Sequence, residues 1–146
     1  MPNPIIDQDG NKRWHDQQGQ RHREDGPAFE AVNGSKEWWL NGKCHREDGP
    51  AVEWASGSKA WWLNDKLHRE DGPAVENADG SKSWWLNGGR HRTDGPAVEY
   101  NNGDKEWYLN DKQYTEEDFL KATRPATELT VAEIEQLLGY AIKVVK

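Results

Sequence analysis

Four histidines, His22, His45, His68 and His91, stand 23 residues apart, each opening a His-Arg-x-Asp-Gly-Pro-Ala segment. Histidine beside carboxylate is the residue pairing of a zinc site or a proton relay. The spacing argues against both. Two strands per repeat, at about 4.8 Å each, put equivalent residues roughly 9.6 Å apart and pointing the same way. Zinc ligands must instead converge to about 2.1 Å from one ion. A relay needs a nucleophile, and no Ser or Cys keeps a fixed offset from all four pairs. The expectation is that the histidines hydrogen-bond within their turns. Asp25, Asp48, Asp71 and Asp94 would accept from backbone amides or the neighbouring Arg. No catalytic residue, metal or cofactor is expected.

The tryptophans are the second candidate. The chain has nine, six of them in adjacent pairs: Trp38-Trp39, Trp61-Trp62 and Trp84-Trp85, with Trp107-Tyr108 closing the series. Neighbours on a strand point to opposite faces, so a single-layer sheet leaves one row uncovered. The candidate binding row is Trp39, Trp62, Trp85 and Tyr108, with Ala28, Ala51, Ala74 and Ala97 beside the rings. Glu30, Glu53, Glu76 and Glu99 are expected on the same face. Aromatic rings beside carboxylates suit a basic peptide, an Arg-bearing protein surface or an organic cation. The same pattern also reads as plain packing: Ala makes room for the rings, and Glu pairs with Lys36, Lys59, Lys82 and Lys105.

The elements that must position these residues are hairpins. Asn33-Gly34, Ser56-Gly57, Asp79-Gly80 and Asn102-Gly103 read as two-residue type I′ turns. That register sets Val52 opposite Trp61 and Glu53 opposite Ala60. Val52, Trp61 and Leu63 then share the packed face, whereas Ala51, Glu53 and Trp62 share the other. A second turn, Leu63-Asn64-Asp65-Lys66, leads through His68-Arg69 to Asp71-Gly72-Pro73 and the next hairpin. Asp9 to Trp14 form a degenerate half-copy. Two columns vary between copies: Cys44, Leu67, Arg90 and Gln113; and Ala31, Trp54, Asn77 and Tyr100.

The C-terminal segment differs from the repeats. Thr115 is a good N-cap, followed by the acidic Glu116, Glu117 and Asp118, and that helix should end before Arg124-Pro125. Thr130 and Glu133 form a capping-box pattern, Val131, Ile134, Leu137 and Leu138 share a helical face, and Gly139 is the stop. Tyr140 to Val145 read as a short strand. The helices are too short to stand alone. They are expected to fold onto the Val98, Trp107 and Leu109 face of the last repeat, or onto that face of a second copy.

Composition narrows the classes. The 146 residues carry 19 Lys+Arg against 26 Asp+Glu, a net charge of −7. Nucleic acid and anionic membrane need clustered Lys/Arg, so neither is an expected partner. Mean hydropathy is −1.14, and no apolar run approaches the roughly 20 residues of a membrane span. No basic, apolar leader opens the chain, so a cytoplasmic location is expected. The single Cys44 excludes a disulfide framework.

The 23-residue period, the Trp ahead of Asn-Gly-Lys-x-His and the Gly-Ser-Lys turn resemble MORN repeats. The resemblance covers residues 9–113 and is nearest to the His-Arg-x-Asp-Gly-Pro-Ala type of tailed-bacteriophage and bacterial proteins. It implies a single-layer antiparallel β-hairpin solenoid, and with the C-terminal reading above the expected fold is mostly β, with a small C-terminal helical cap ending in a short strand. The expected divisions are a degenerate N-terminal half-repeat at 1–21, four 23-residue repeats at 22–113, and a capping module at 114–146. The expected function is non-enzymatic binding of a protein partner, a host factor if the chain is of phage origin. Alternatives are sequestration of a small planar or cationic ligand, or a structural part of a particle. A homodimer through the C-terminal module is also expected as a possible assembly.

Overall fold

The computed structural model describes residues 3–125 and 130–139. The fold is mostly β and antiparallel throughout. Strands at Ile5–Ile6, Lys12–Arg13, Phe29–Glu30, Lys36–Glu37, Val52–Glu53, Lys59–Ala60, Val75–Glu76, Lys82–Ser83, Val98–Glu99, Lys105–Leu109 and Lys112–Tyr114 pair in chain order into one long meander. Each repeat adds two of these strands. Short side hairpins branch off after the second strand, Trp39–Leu40 with Lys43–Cys44, Trp62–Leu63 with Lys66–Leu67, and Trp85–Leu86 with Gly89–Arg90.

The turns differ from the expectation in a way that reorients the sheet. Gly57 N–H donates to the Trp54 carbonyl at 2.9 Å, Trp54 N–H to the Ser58 carbonyl at 3.0 Å, and Gly57 has φ +92°. This is a three-residue loop, a type I turn closed by a left-handed glycine in a bulge, not a two-residue type I′ turn. Asn33-Gly34, Asp79-Gly80 and Asn102-Gly103 close the same way. The type I′ geometry lies instead in the side hairpins. Asn64-Asp65 and Asn110-Asp111 have both residues at positive φ, as do Asn41-Gly42 and Asn87-Gly88.

The extra loop residue shifts the register by one. Val52 pairs with Ala60 and Glu53 with Lys59. A one-residue slip exchanges the faces. Trp61, whose N–H donates to the Ala74 carbonyl at 2.8 Å, therefore shares its side with Glu53 rather than with Val52. Ala28, Ala51, Ala74 and Ala97 are fully buried and flank the Trp38, Trp61 and Trp84 row.

The stack is also tied along both margins. Ala55, Ala78 and Asn101 N–H donate to Ser35, Ser58 and Ser81 Oγ of the preceding copy. At the opposite margin Asn41, Asn64, Asn87 and Asn110 N–H donate to Nδ1 of His22, His45, His68 and His91. Each histidine thus bonds a backbone amide 19 residues further on, not within its own turn.

The helical segment forms as its caps dictate. Helix α1 spans Glu116–Thr123 with Thr115 accepting from Asp118 N–H. Helix α2 spans Val131–Leu138, opened by the complete Thr130–Glu133 capping box and closed by Gly139 at φ 71°. Helix α1 packs on the Lys105–Leu109 and Lys112–Tyr114 strands and buries Phe119 to 2 % exposure. An Arg124–Glu133 ion pair joins the two helices. The strand expected over 140–145 lies outside the described residues. No described helix is long and apolar enough to cross a membrane.

Candidate functional site

The His-Arg-x-Asp-Gly-Pro-Ala segment builds one device four times. Arg23, Arg46, Arg69 and Arg92 lay their guanidinium groups over Trp14, Trp38, Trp61 and Trp84, at 4.1, 4.1, 4.0 and 3.9 Å from the ring centroids. That is cation–π distance. The fork is then held on its remaining edges. Arg69 Nε donates to Asp71 at 2.9 Å, and Nη1 donates to the Pro73 carbonyl at 3.2 Å and to Glu76 at 3.0 Å. The glycine is needed for room: a Cβ at Gly72 would come 3.0 Å from Arg69 Cζ, and Gly26, Gly49 and Gly95 repeat that distance. The fully buried Ala follows Pro because the Trp ring passes beside it.

Hydrogen bonding to the guanidinium, followed by its charge, holds the Asp48, Asp71 and Asp94 carboxyls below the usual range. Glu30, Glu53, Glu76 and Glu99 serve the same arginines, at 3.5, 3.4, 3.0 and 2.9 Å. These glutamates therefore pair with Arg rather than with Lys36, Lys59, Lys82 and Lys105, all of which are exposed.

The other aromatic row lies on the opposite side and is irregular. Trp39 Nε1 donates to Glu37 at 2.8 Å, Trp85 Nε1 to Ser83 at 2.7 Å, and Tyr108 OH to Glu106 at 3.0 Å. Arg21 stacks on Phe29 and Trp39, and Arg90 on Trp85 and Tyr108. In the second copy Ala60 occupies the acceptor position, and the buried Trp62 Nε1 has no partner among the described residues. Cys44 is 6 % exposed on this side, and burial, with Glu37 and Asp65 nearby, pushes its thiol up to about 12. At neutral pH it is a protonated, unreactive thiol. Of the eight residues expected to share one face, the structure separates the aromatic four from Glu30, Glu53, Glu76 and Glu99. The cause is the bulged turn and its register.

What the structure does bring together is a row of clefts on the Arg-stacked side. One of about 740 Å³ lies between the Arg23–Pro27 and His45–Asp48 loops, floored by Trp38 and Leu40. The next, about 590 Å³, is floored by Trp61 and Leu63, and a smaller one of about 230 Å³ by Trp84 and Leu86. The rims are acidic. Glu24, Asp25, Glu47 and Asp48 line the first cleft against Arg23 and Arg46. Glu47 and Glu70 project with side chains 85 % exposed, with His45 and His68 Nε2 at 3.6 and 3.7 Å. The third cleft has Thr93 where the others carry glutamate.

The cleft floor falls on the tryptophans expected to be core, and the rim on Glu24, Glu47 and Glu70, which the pattern did not single out. The signal for both was present: the Arg two residues before each Asp recurs in every copy. Among the described residues no group of three His, Cys, Asp or Glu is placed to hold a metal ion. Comparison with family models, with curated proteins and with solved structures finds no match.

Proposed function

We propose that this chain is a non-enzymatic interaction module that binds a protein partner across the row of acidic, Trp-floored clefts. The observation that carries the reading is the repetition itself: three clefts built from the same motif at one repeat spacing, the third smaller than the others. An enzyme needs one exceptional site, whereas a row of like sites suits a long, repetitive contact. The likeness to MORN-type hairpin repeats, which implies scaffolding and partner binding, supports the same reading. If that likeness extends to the phage type, a host protein is the natural class of partner. The test is co-purification from lysate with the wild-type chain and with Glu47→Lys/Glu70→Lys. A stoichiometric protein retained by the first and lost by the second is the expected outcome. Equal retention by both would refute the clefts as the contact.

A second reading, sequestration of a small planar ligand, has one observation behind it. The buried Trp62 indole N–H faces Ala60 without an acceptor, so a ligand carbonyl could complete it. A metabolite that raises the melting temperature of the wild-type chain, but not of Ala60→Ser, would favour this reading over the first.

A further inference from the structure

We infer that the occupant of the clefts is a polyproline II segment of the partner, carrying Lys or Arg at every third residue. This inference rests on the cleft reading above and specifies its ligand.

Three observations select this occupant. The first is spacing. Equivalent strands in the meander are separated by one intervening strand, which makes the cleft repeat about 9.6 Å. A polyproline II helix places every third side chain on one side at a rise of about 9.3 Å. A β-strand returns a side chain to one face at about 6.7 or 13.4 Å. An α-helix does so at about 10.5 Å after seven residues, with a far wider body. Over two steps the polyproline II misfit stays about 0.6 Å.

The second is the lining. Trp38 and Pro27 stand in the first cleft, and Trp61 and Pro50 in the second. Aromatic grooves are the usual seat of a polyproline II ridge, which arrives already extended and loses little entropy on docking. One face of each ring already holds Arg46 or Arg69, and a ligand cation goes instead to the carboxylates of the rim.

The third is charge. Arg46 and Arg69 are each already satisfied by an Asp and a Glu. Glu47 and Glu70 remain as extended rim carboxylates. A Lys or Arg can lay its aliphatic stem along Leu40 or Leu63 and place its head on the rim. Thr93 leaves the third cleft with Glu70 alone on its rim, where the first two carry two glutamates each, so the contact is strongest at the first two.

The test uses the full chain and labelled peptides of three Arg-Pro-Pro units, with equally charged controls spaced Arg-Pro and Arg-Pro-Pro-Pro, followed by fluorescence anisotropy. The three-residue spacing should bind at least several-fold more tightly than either control. Glu47→Gln/Glu70→Gln, substituted at exposed positions, should fold as the wild type does and bind roughly five- to tenfold more weakly. Thr93→Glu should tighten binding by restoring the third rim. Equal binding of all spacings would overturn the polyproline II occupant while leaving the clefts as the contact, provided the glutamine variant still loses the captured partner. If that variant keeps both peptide and partner, the cleft reading itself falls.

Discussion

The two faces of one sheet carry nearly the same aromatic residues and use them differently. On one, Trp38, Trp61 and Trp84 are each covered by an arginine at about 4 Å and flanked by fully buried alanines. On the other, Trp39, Trp62, Trp85 and Tyr108 share no common partner: Glu37, none among the described residues, Ser83 and Glu106. The first face is a module held by a seven-residue motif. The second is free to vary, and only its last member, Tyr108 beside helix α1, is buried, at 9 %. Repetition of side-chain identity is therefore not repetition of environment. What repeats physically is the Arg–Trp–Asp–Glu assembly.

The comparison predicts unequal losses. Trp61→Ala removes the ring under Arg69 and opens a gap between Ala51 and Ala74, at a cost of about 3–5 kcal/mol. Trp62→Ala should cost clearly less, because an unpaired buried donor leaves with the ring. Urea denaturation of the two variants measures this, and equal losses would show that the faces are energetically alike.

The arginines should differ in the same sense. Arg69→Ala loses a stacked ring contact and bonds to Asp71, Pro73 and Glu76, roughly 2–3 kcal/mol in all. Arg90→Ala, on the irregular face, loses its looser stacking and the Tyr108 hydroxyl contact at 3.2 Å, about 1 kcal/mol. Thermal melts of both variants would expose a reversal of that order.

A gain is expected where the second face is incomplete. Ser at position 60 would supply Trp62 with the acceptor that Ser83 supplies to Trp85, so Ala60→Ser should stabilise by about 1 kcal/mol. A loss of stability would mean that the indole N–H is already satisfied in solution.

The smallest and most diagnostic difference is in pH. Asp71 is held low by the Arg69 hydrogen bond and charge, so its contribution is complete above the ordinary carboxylate range. It disappears as acid takes the pH down through the depressed value. Tyr108 is held high by burial and by Glu106, so its contribution is complete below the ordinary phenol range and is lost only in alkali. The stability deficit of Asp71→Asn should narrow on acidification and that of Tyr108→Phe on alkalinisation. Deficits that stay constant across both ranges would remove the electrostatic distinction between the faces.

Much of this molecule is legible locally. The 23-residue period, the hairpin at each Xaa-Gly pair and the caps Thr115, Thr130 and Gly139 are all short-range chemistry. Backbone donors need caps and a left-handed position needs Gly or Asn, whatever the surroundings. The candidate site was legible only in its residue types. Trp, Glu and Arg were visible as columns, but which of them meet was not.

That pairing was decided by tertiary structure through a single residue of register. Ser56-Gly57 serves equally as the centre of a two-residue turn or as the end of a three-residue bulged loop, and the two choices put Trp61 on opposite faces. Alternation of apolar residues normally settles such a choice. Here it could not, because both tryptophan rows are half-buried and the strands of the inner repeats, such as Val52–Glu53 and Lys59–Ala60, are only two residues long. The long-range contacts settled it: Arg69 reaches back over Trp61 and forward to Glu76 only in the bulged register.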